Sequence, residues 1–118
     1  MTPALYFVML YVADLEASLT YLTETLGFAR APEQDTPIFR YLRSGDGGMD
    51  FAIRQATDDS LPPGAAELYF KTPNVTDLHT TWSAQGIGVS PIVNRPFGSF
   101  FTVHTPDGQP LFMIEPRG

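Results

Sequence analysis

Apolar positions along this chain change period, and each change marks an element. Residues 6–12, YFVMLYV, are almost wholly β-branched, aromatic or large aliphatic, which suits a strand buried on both faces. Asp14 then supplies a helix N-cap, because its short carboxylate accepts hydrogen bonds from the first free backbone N–H groups. Leu15, Leu19, Leu22 and Leu26 follow at spacings of four, three and four, one stripe on a 3.6-residue helix. Gly27 stops the helix where a positive φ is commonly needed.

The chain then does this again. Within 67–89, ELYFKTPNVTDLHTTWSAQGIGV, a strand leads to Asn74 as the cap, with Asp77 three residues on. Val75, Leu78 and Trp82 form the apolar stripe and Gly86 is the stop. Asp14 and Asn74 are 60 residues apart, and Gly27 and Gly86 are 59 apart. SGDGGMDFAI (44–53) and TPDGQPLFMI (105–114) match at an offset of 61, pairing Gly47 with Gly108 and Phe51 with Phe112. Four landmarks in register indicate an internal duplication.

The same patterns predict strands at about 4–12 and 28–31, a helix over 15–26, and a hairpin of 38–43 and 49–55 around SGDGG. Residues 56–65, ATDDSLPPGA, lack periodicity and read as a linker. The second half predicts strands at 66–72, near 87–93, 99–104 and 110–115, with a helix over 75–85. Each half is strand–helix–strand–strand–strand. The expected organisation is one domain over 1–118, made of repeats 1–55 and 66–118 about the linker.

Composition narrows the function classes. At 118 residues with 43% hydrophobic content, the chain can bury a single core. It has no cysteine, which removes disulfides, thiol nucleophiles and thiolate metal sites. No apolar run approaches bilayer length and no signal-peptide pattern opens the chain, so a soluble cytoplasmic protein without a membrane partner is expected. The net charge of −6 reflects 7 basic and 13 acidic residues. No lysine or arginine face emerges, which disfavours a nucleic-acid partner. The acidity serves solubility or a field that attracts a cationic ligand.

Val12, Asp14, Leu15, Glu16 and Ser18, the LGF of Leu26, Gly27 and Phe28, and Pro106, Asp107, Gly108, Glu115 and Pro116 together carry a resemblance. The chain resembles the vicinal oxygen chelate superfamily, which includes glyoxalase I, extradiol dioxygenases and bleomycin-resistance proteins. The resemblance implies an α+β fold of two tandem βαβββ modules, with curved mixed sheets enclosing a cavity and the helices outside. It also implies a homodimer. It is weak for function, because one scaffold hosts several chemistries and pure binders.

Catalytic members hold a divalent metal with His, Gln or Glu from the first and last strand of each module. The resemblance places those positions at Phe7, at Phe51 or Ala52, at Glu67 and at Phe112. Only Glu67 has a donor, and a single donor does not hold such an ion tightly. Asp50 is adjacent, but alternation is expected to turn it to the opposite face. No metal and no cofactor is therefore expected. His79 is expected on the second helix, away from the cavity and solvated or partly packed. His104 alternates with Val103 and can face the cavity. No serine-triad pattern or phosphate-cradling glycine loop occurs.

Alternation along strand one presents Phe7, Met9 and Tyr11 to the cavity, with Val8, Leu10 and Val12 against the helix. Strand five presents Glu67, Tyr69 and Lys71, and the last strand Phe112 and Ile114. Phe7, Met9, Tyr11, Glu67, Tyr69, His104 and Phe112 are the candidate ligand-binding residues. An apolar aromatic surface with a few polar groups suits a small molecule, and a carboxylate between rings suits an aromatic or cationic one. The resemblance is nearest the metal-free bleomycin-resistance type, which implies a binding protein that sequesters an antibiotic-like ligand. Two alternatives stay open: a lyase, isomerase or dioxygenase that is metal-dependent through Glu67 and displaced ligands or is a metal-free acid–base catalyst, and a structural subunit with a filled interior.

Overall fold

A computed structural model describes residues 2–45 and 48–117. Asp46 and Gly47, at the tip of the expected SGDGG turn and in the Gly47–Gly108 pairing, lie outside the described residues. The chain divides into two compact units: one is Phe7–Glu67, and the other joins the residues up to Tyr6 to those from Leu68 onward.

In the unit Phe7–Glu67 the strand order is β2 (Ala29–Arg30), β3 (Phe39–Arg43), β4 (Phe51–Gln55), then β1 (Ala4–Val12), which enters this unit at Phe7. β1 and β4 are parallel, from Val8 opposite Phe51 to Val12 opposite Gln55, and the other pairings are antiparallel. The other unit repeats the plan. β5 (Ala66–Lys71), which enters this unit at Leu68, runs parallel to β8 (Pro110–Pro116), followed by β7 (Gly98–His104) and β6 (Val93–Arg95) in antiparallel pairs. With helices α1 (Leu15–Thr20) and α2 (Val75–Ala84), this is an α+β fold with mixed strand pairing, as the sequence predicts.

Both helix starts form as the caps require. Asp14 accepts from the Ala17 N–H at 3.0 Å and Asn74 from the Asp77 N–H at 3.0 Å. A second, long-range cap occurs in both units. The Leu15 N–H donates to Gln55 Oε1 at 3.0 Å, and the Val75 N–H donates to Glu115 Oε1 at 2.9 Å. Each fourth strand thus satisfies the first free amide of its unit's helix. Gly27 and Gly86 close the helical segments at φ +85° and +82°, the left-handed region that glycine occupies without strain.

Each helix buries its stripe against one face of its own strands. Leu15, Leu19, Leu42 and Ile53 form the first core, with Leu10, Val12, Leu22, Phe28 and Phe51 packed on it. Val75, Phe101, Val103 and Met113 form the second, with Phe70, Leu78 and Trp82 among those around it.

Three expectations are corrected. The first helix is α-helical only to Thr20, and Tyr21–Thr25 is a wider π-helical turn in which the Leu26 N–H reaches the Tyr21 carbonyl. The extra residue per turn rotates Leu26 off the stripe, leaving it 52% exposed, and Phe28 packs edge-on to Phe51 in the core. The strand expected near 28–31 is only Ala29–Arg30. The strand expected near 87–93 begins at Val93. Pro91 has no N–H to donate, and although the Ser90 N–H donates to the Thr102 carbonyl at 3.0 Å, the Thr102 N–H donates to the Ser90 hydroxyl at 2.7 Å, so a side chain takes over half of the pairing there.

Candidate functional site

Side chains opposite one another in a sheet share a face. Met9 pairs with Ala52, Ala52 with Tyr41, and Tyr11 and Phe39 with Arg54. Phe7, Met9, Tyr11, Ala52, Arg54, Phe39 and Tyr41 therefore share the face turned from α1, while Leu10, Val12 and Ile53 line the helix side. The predicted alternation of β1 holds. Ala52, and not Phe51, occupies the face at the end of the first module.

Aromatic and polar groups divide this face. Phe7 stacks on Tyr41, with centroids 5.5 Å apart and planes 18° apart, and Phe39 lies 6.3 Å from Tyr41. The Tyr41 hydroxyl donates to Asp50 Oδ2 at 3.2 Å. Asp50 is thus on the face of Phe7 and not opposite to it, a correction that follows from its two-residue step to Ala52.

Tyr11, 3% exposed, is held at both ends. Its N–H donates to the Ala65 carbonyl and its carbonyl accepts from the Gly64 N–H, both at 2.9 Å. Its hydroxyl donates to Glu67 Oε2 at 2.7 Å and accepts from Arg54 Nη1 at 3.1 Å. The Arg54 guanidinium carbon also lies 5.4 Å from the Tyr11 ring centroid, within cation–π range. Burial pushes the Tyr11 pKa up to about 12, reinforced by the Glu67 hydrogen bond and charge and opposed by Arg54. Tyr11 is therefore a neutral phenol that presents its proton to Glu67, and the carboxylate is not a bare anion.

The second unit carries a matching aromatic face. Tyr69 pairs with Phe112 and stacks on it at 4.7 Å and 16°. Phe100 meets Phe112 at 5.9 Å and 67°. Lys71 Nζ lies 5.9 Å from the Tyr6 ring centroid. His104 is exposed at the end of β7 opposite Pro110, on the Thr102–Phe112 face. His79 is packed on the helix side, edge-on to Phe101 at 5.1 Å, with Nε2 donating to the Ser90 carbonyl at 2.9 Å.

Of the predicted site residues, Tyr11 and Glu67 are brought together in one unit, where Phe7 and Met9 share the Tyr11 face. Tyr69 and Phe112 are brought together in the other. Arg54, Tyr41, Phe39 and Phe100 were not legible as site residues, and Asp50 was legible but assigned to the wrong face. The available signal was period two through Ala52 and Arg54, which becomes meaningful only once β4 is in register with β1.

The donor set does not fit a divalent metal. Phe7 is stacked on Tyr41, Ala52 has no donor, Phe112 is stacked on Tyr69, and Glu67 is engaged by a phenol. Among the described residues, no group of three or more His, Cys, Asp or Glu could hold a metal ion.

The model of the Glyoxalase/Bleomycin resistance protein/Dioxygenase superfamily matches residues 4–111. The chain belongs to that superfamily. Its fold is similar to a glyoxalase/bleomycin resistance protein/dioxygenase superfamily member from Vibrio splendidus 12B01, with TM-score 0.69 and 21% identity over 97% of this chain and 99% of that one. It is also similar to methylmalonyl-CoA epimerase from Mycobacterium tuberculosis, with TM-score 0.77 and 16% identity over 98% of this chain and 89% of that one. An extradiol ring-cleaving dioxygenase from B. fuscum gives TM-score 0.72 and 19% identity over 98% of this chain but 34% of its own. At these identities the likeness establishes the fold. A search of curated proteins gives no match. No helix among the described residues is long and apolar enough to cross a membrane.

Proposed function

We propose that this protein binds a planar aromatic small molecule without a metal ion, and acts by sequestering it as bleomycin-resistance proteins do. The observation that carries this reading is the replacement of chelating positions by ring surface. Phe7 and Phe112 stand where metal ligands are expected, and each is stacked on a neighbouring tyrosine. Such surfaces gain from ring stacking and exclude the water an ion would need.

A second reading, acid–base catalysis, draws on the Tyr11–Glu67 hydrogen bond of 2.7 Å, a carboxylate already in contact with a proton donor. Breakdown or isomerisation of a bound compound during incubation would favour it over sequestration.

Thermal melts against a panel of planar aromatic compounds, bleomycin included, test the proposal. A ligand at a hundred times its dissociation constant is expected to stabilise the wild type by about 2.7 kcal/mol. The Tm rise is expected to shrink in Phe7→Ala, compared with that variant's own ligand-free melt. A panel that shifts neither protein sinks the proposal.

A further inference from the structure

Arg54 is placed unlike the other three arginines of the unit Phe7–Glu67. Arg40 pairs with Glu16 at 2.7 Å and Arg43 with Glu33 at 3.0 Å, while Arg30 near them pairs with Asp35 at 2.6 Å. Arg54 is half-buried, yet no carboxylate among the described residues lies within ion-pair distance of it. Nη1 donates to the Tyr11 hydroxyl at 3.1 Å, and Nε is buried with no hydrogen-bond partner.

A half-buried guanidinium without an anion is costly to hold, and its orphaned buried N–H adds to that cost. The acidic composition makes the omission more telling, because among the described residues no carboxylate forms an ion pair with it. The Tyr11 hydroxyl links Arg54 and Glu67 by hydrogen bonds, donating to Glu67 and accepting from Arg54. The same face carries the Phe7–Tyr41 stack and, opposite Arg54, Phe39. A flat apolar floor beside an unpaired planar cation matches one ligand chemistry, a ring bearing an acidic group, because guanidinium and carboxylate are complementary in shape and charge.

We propose that Arg54 receives the acidic group of the ligand, and that the ligand class is a planar aromatic carboxylic acid. This deepens the ring-binding reading above and rests on it.

Isothermal titration with three matched probes tests it: naphthalene carboxylate, naphthalene carboxamide and naphthylmethylammonium. A charge-assisted hydrogen bond contributes about 1.5–3 kcal/mol, so wild type is expected to bind the carboxylate about tenfold or more tighter than the carboxamide. Arg54→Gln is expected to erase that difference while leaving carboxamide affinity in place. Arg54→Lys, which keeps the charge without the fork, is expected to retain part of it. A melt of each variant verifies that it is folded. If the carboxamide or the ammonium binds wild type as tightly as the carboxylate, or if Arg54→Gln leaves the preference intact, the acid assignment is overturned and ring binding stands. If none of the three probes binds, both fail together.

Discussion

Phe101→Ala is expected to destabilise the protein by about 3–5 kcal/mol, the range for deleting a fully buried phenylalanine. Phe101 is 0% exposed at the centre of the second core. The rings of His79 and Trp82, with centroids 5.1 and 5.9 Å away, both stand nearly perpendicular to its ring. Truncation would leave these α2 side chains facing a cavity that the stiff β7–β8 ladder beneath cannot close. Denaturant unfolding reads the loss as a lower midpoint. A shift under 1 kcal/mol would mean that Phe101 does not seat the helix.

The second large effect is alkaline. Tyr11 has its pKa raised to about 12 from the ordinary 10.0, so the folded chain keeps a proton that the unfolded chain releases. The sign follows from linkage. The stabilisation is fully present below pH 10 and is lost as pH rises through about 12. A shift of this size corresponds to roughly 2–3 kcal/mol. Tyr11→Phe is expected to show a flatter decline across that window, even though it starts less stable for lack of the two hydrogen bonds. Glu67→Gln removes the neighbouring charge and is expected to bring the Tyr11 titration down, followed by phenolate absorbance, while burial keeps it above 10. Equal slopes in wild type and Tyr11→Phe would remove Tyr11 as the titrating group.

How far the sequence speaks depends on the reach of each interaction. Asp14 and Asn74 act within three residues, so both helix starts were legible from neighbouring letters. The face of β1 was legible because alternation is local. Leu26 was misplaced because its four-residue step from Leu22 fits an α-helix, and nothing in the letters signals the π-helical turn at 21–25. Gln55 and Glu115 cap helices 40 residues upstream, and Arg54 meets Tyr11 across 43 residues. Such partners emerge only once strand register is fixed. The rings of Phe7, Tyr69 and Phe112 were visible as residue types, whereas Tyr41 and both stacked pairs required the sheet.

The central claim is that this member of the superfamily has exchanged its chelating groups for aromatic surface. Its most direct test is metal stoichiometry, measured by elemental analysis. The protein is equilibrated in turn with excess manganese, iron(II), nickel and zinc and then desalted. The account predicts well under one ion retained per chain for every metal, and an unchanged melting temperature. One ion held per chain, lost when Glu67 becomes alanine, would contradict it.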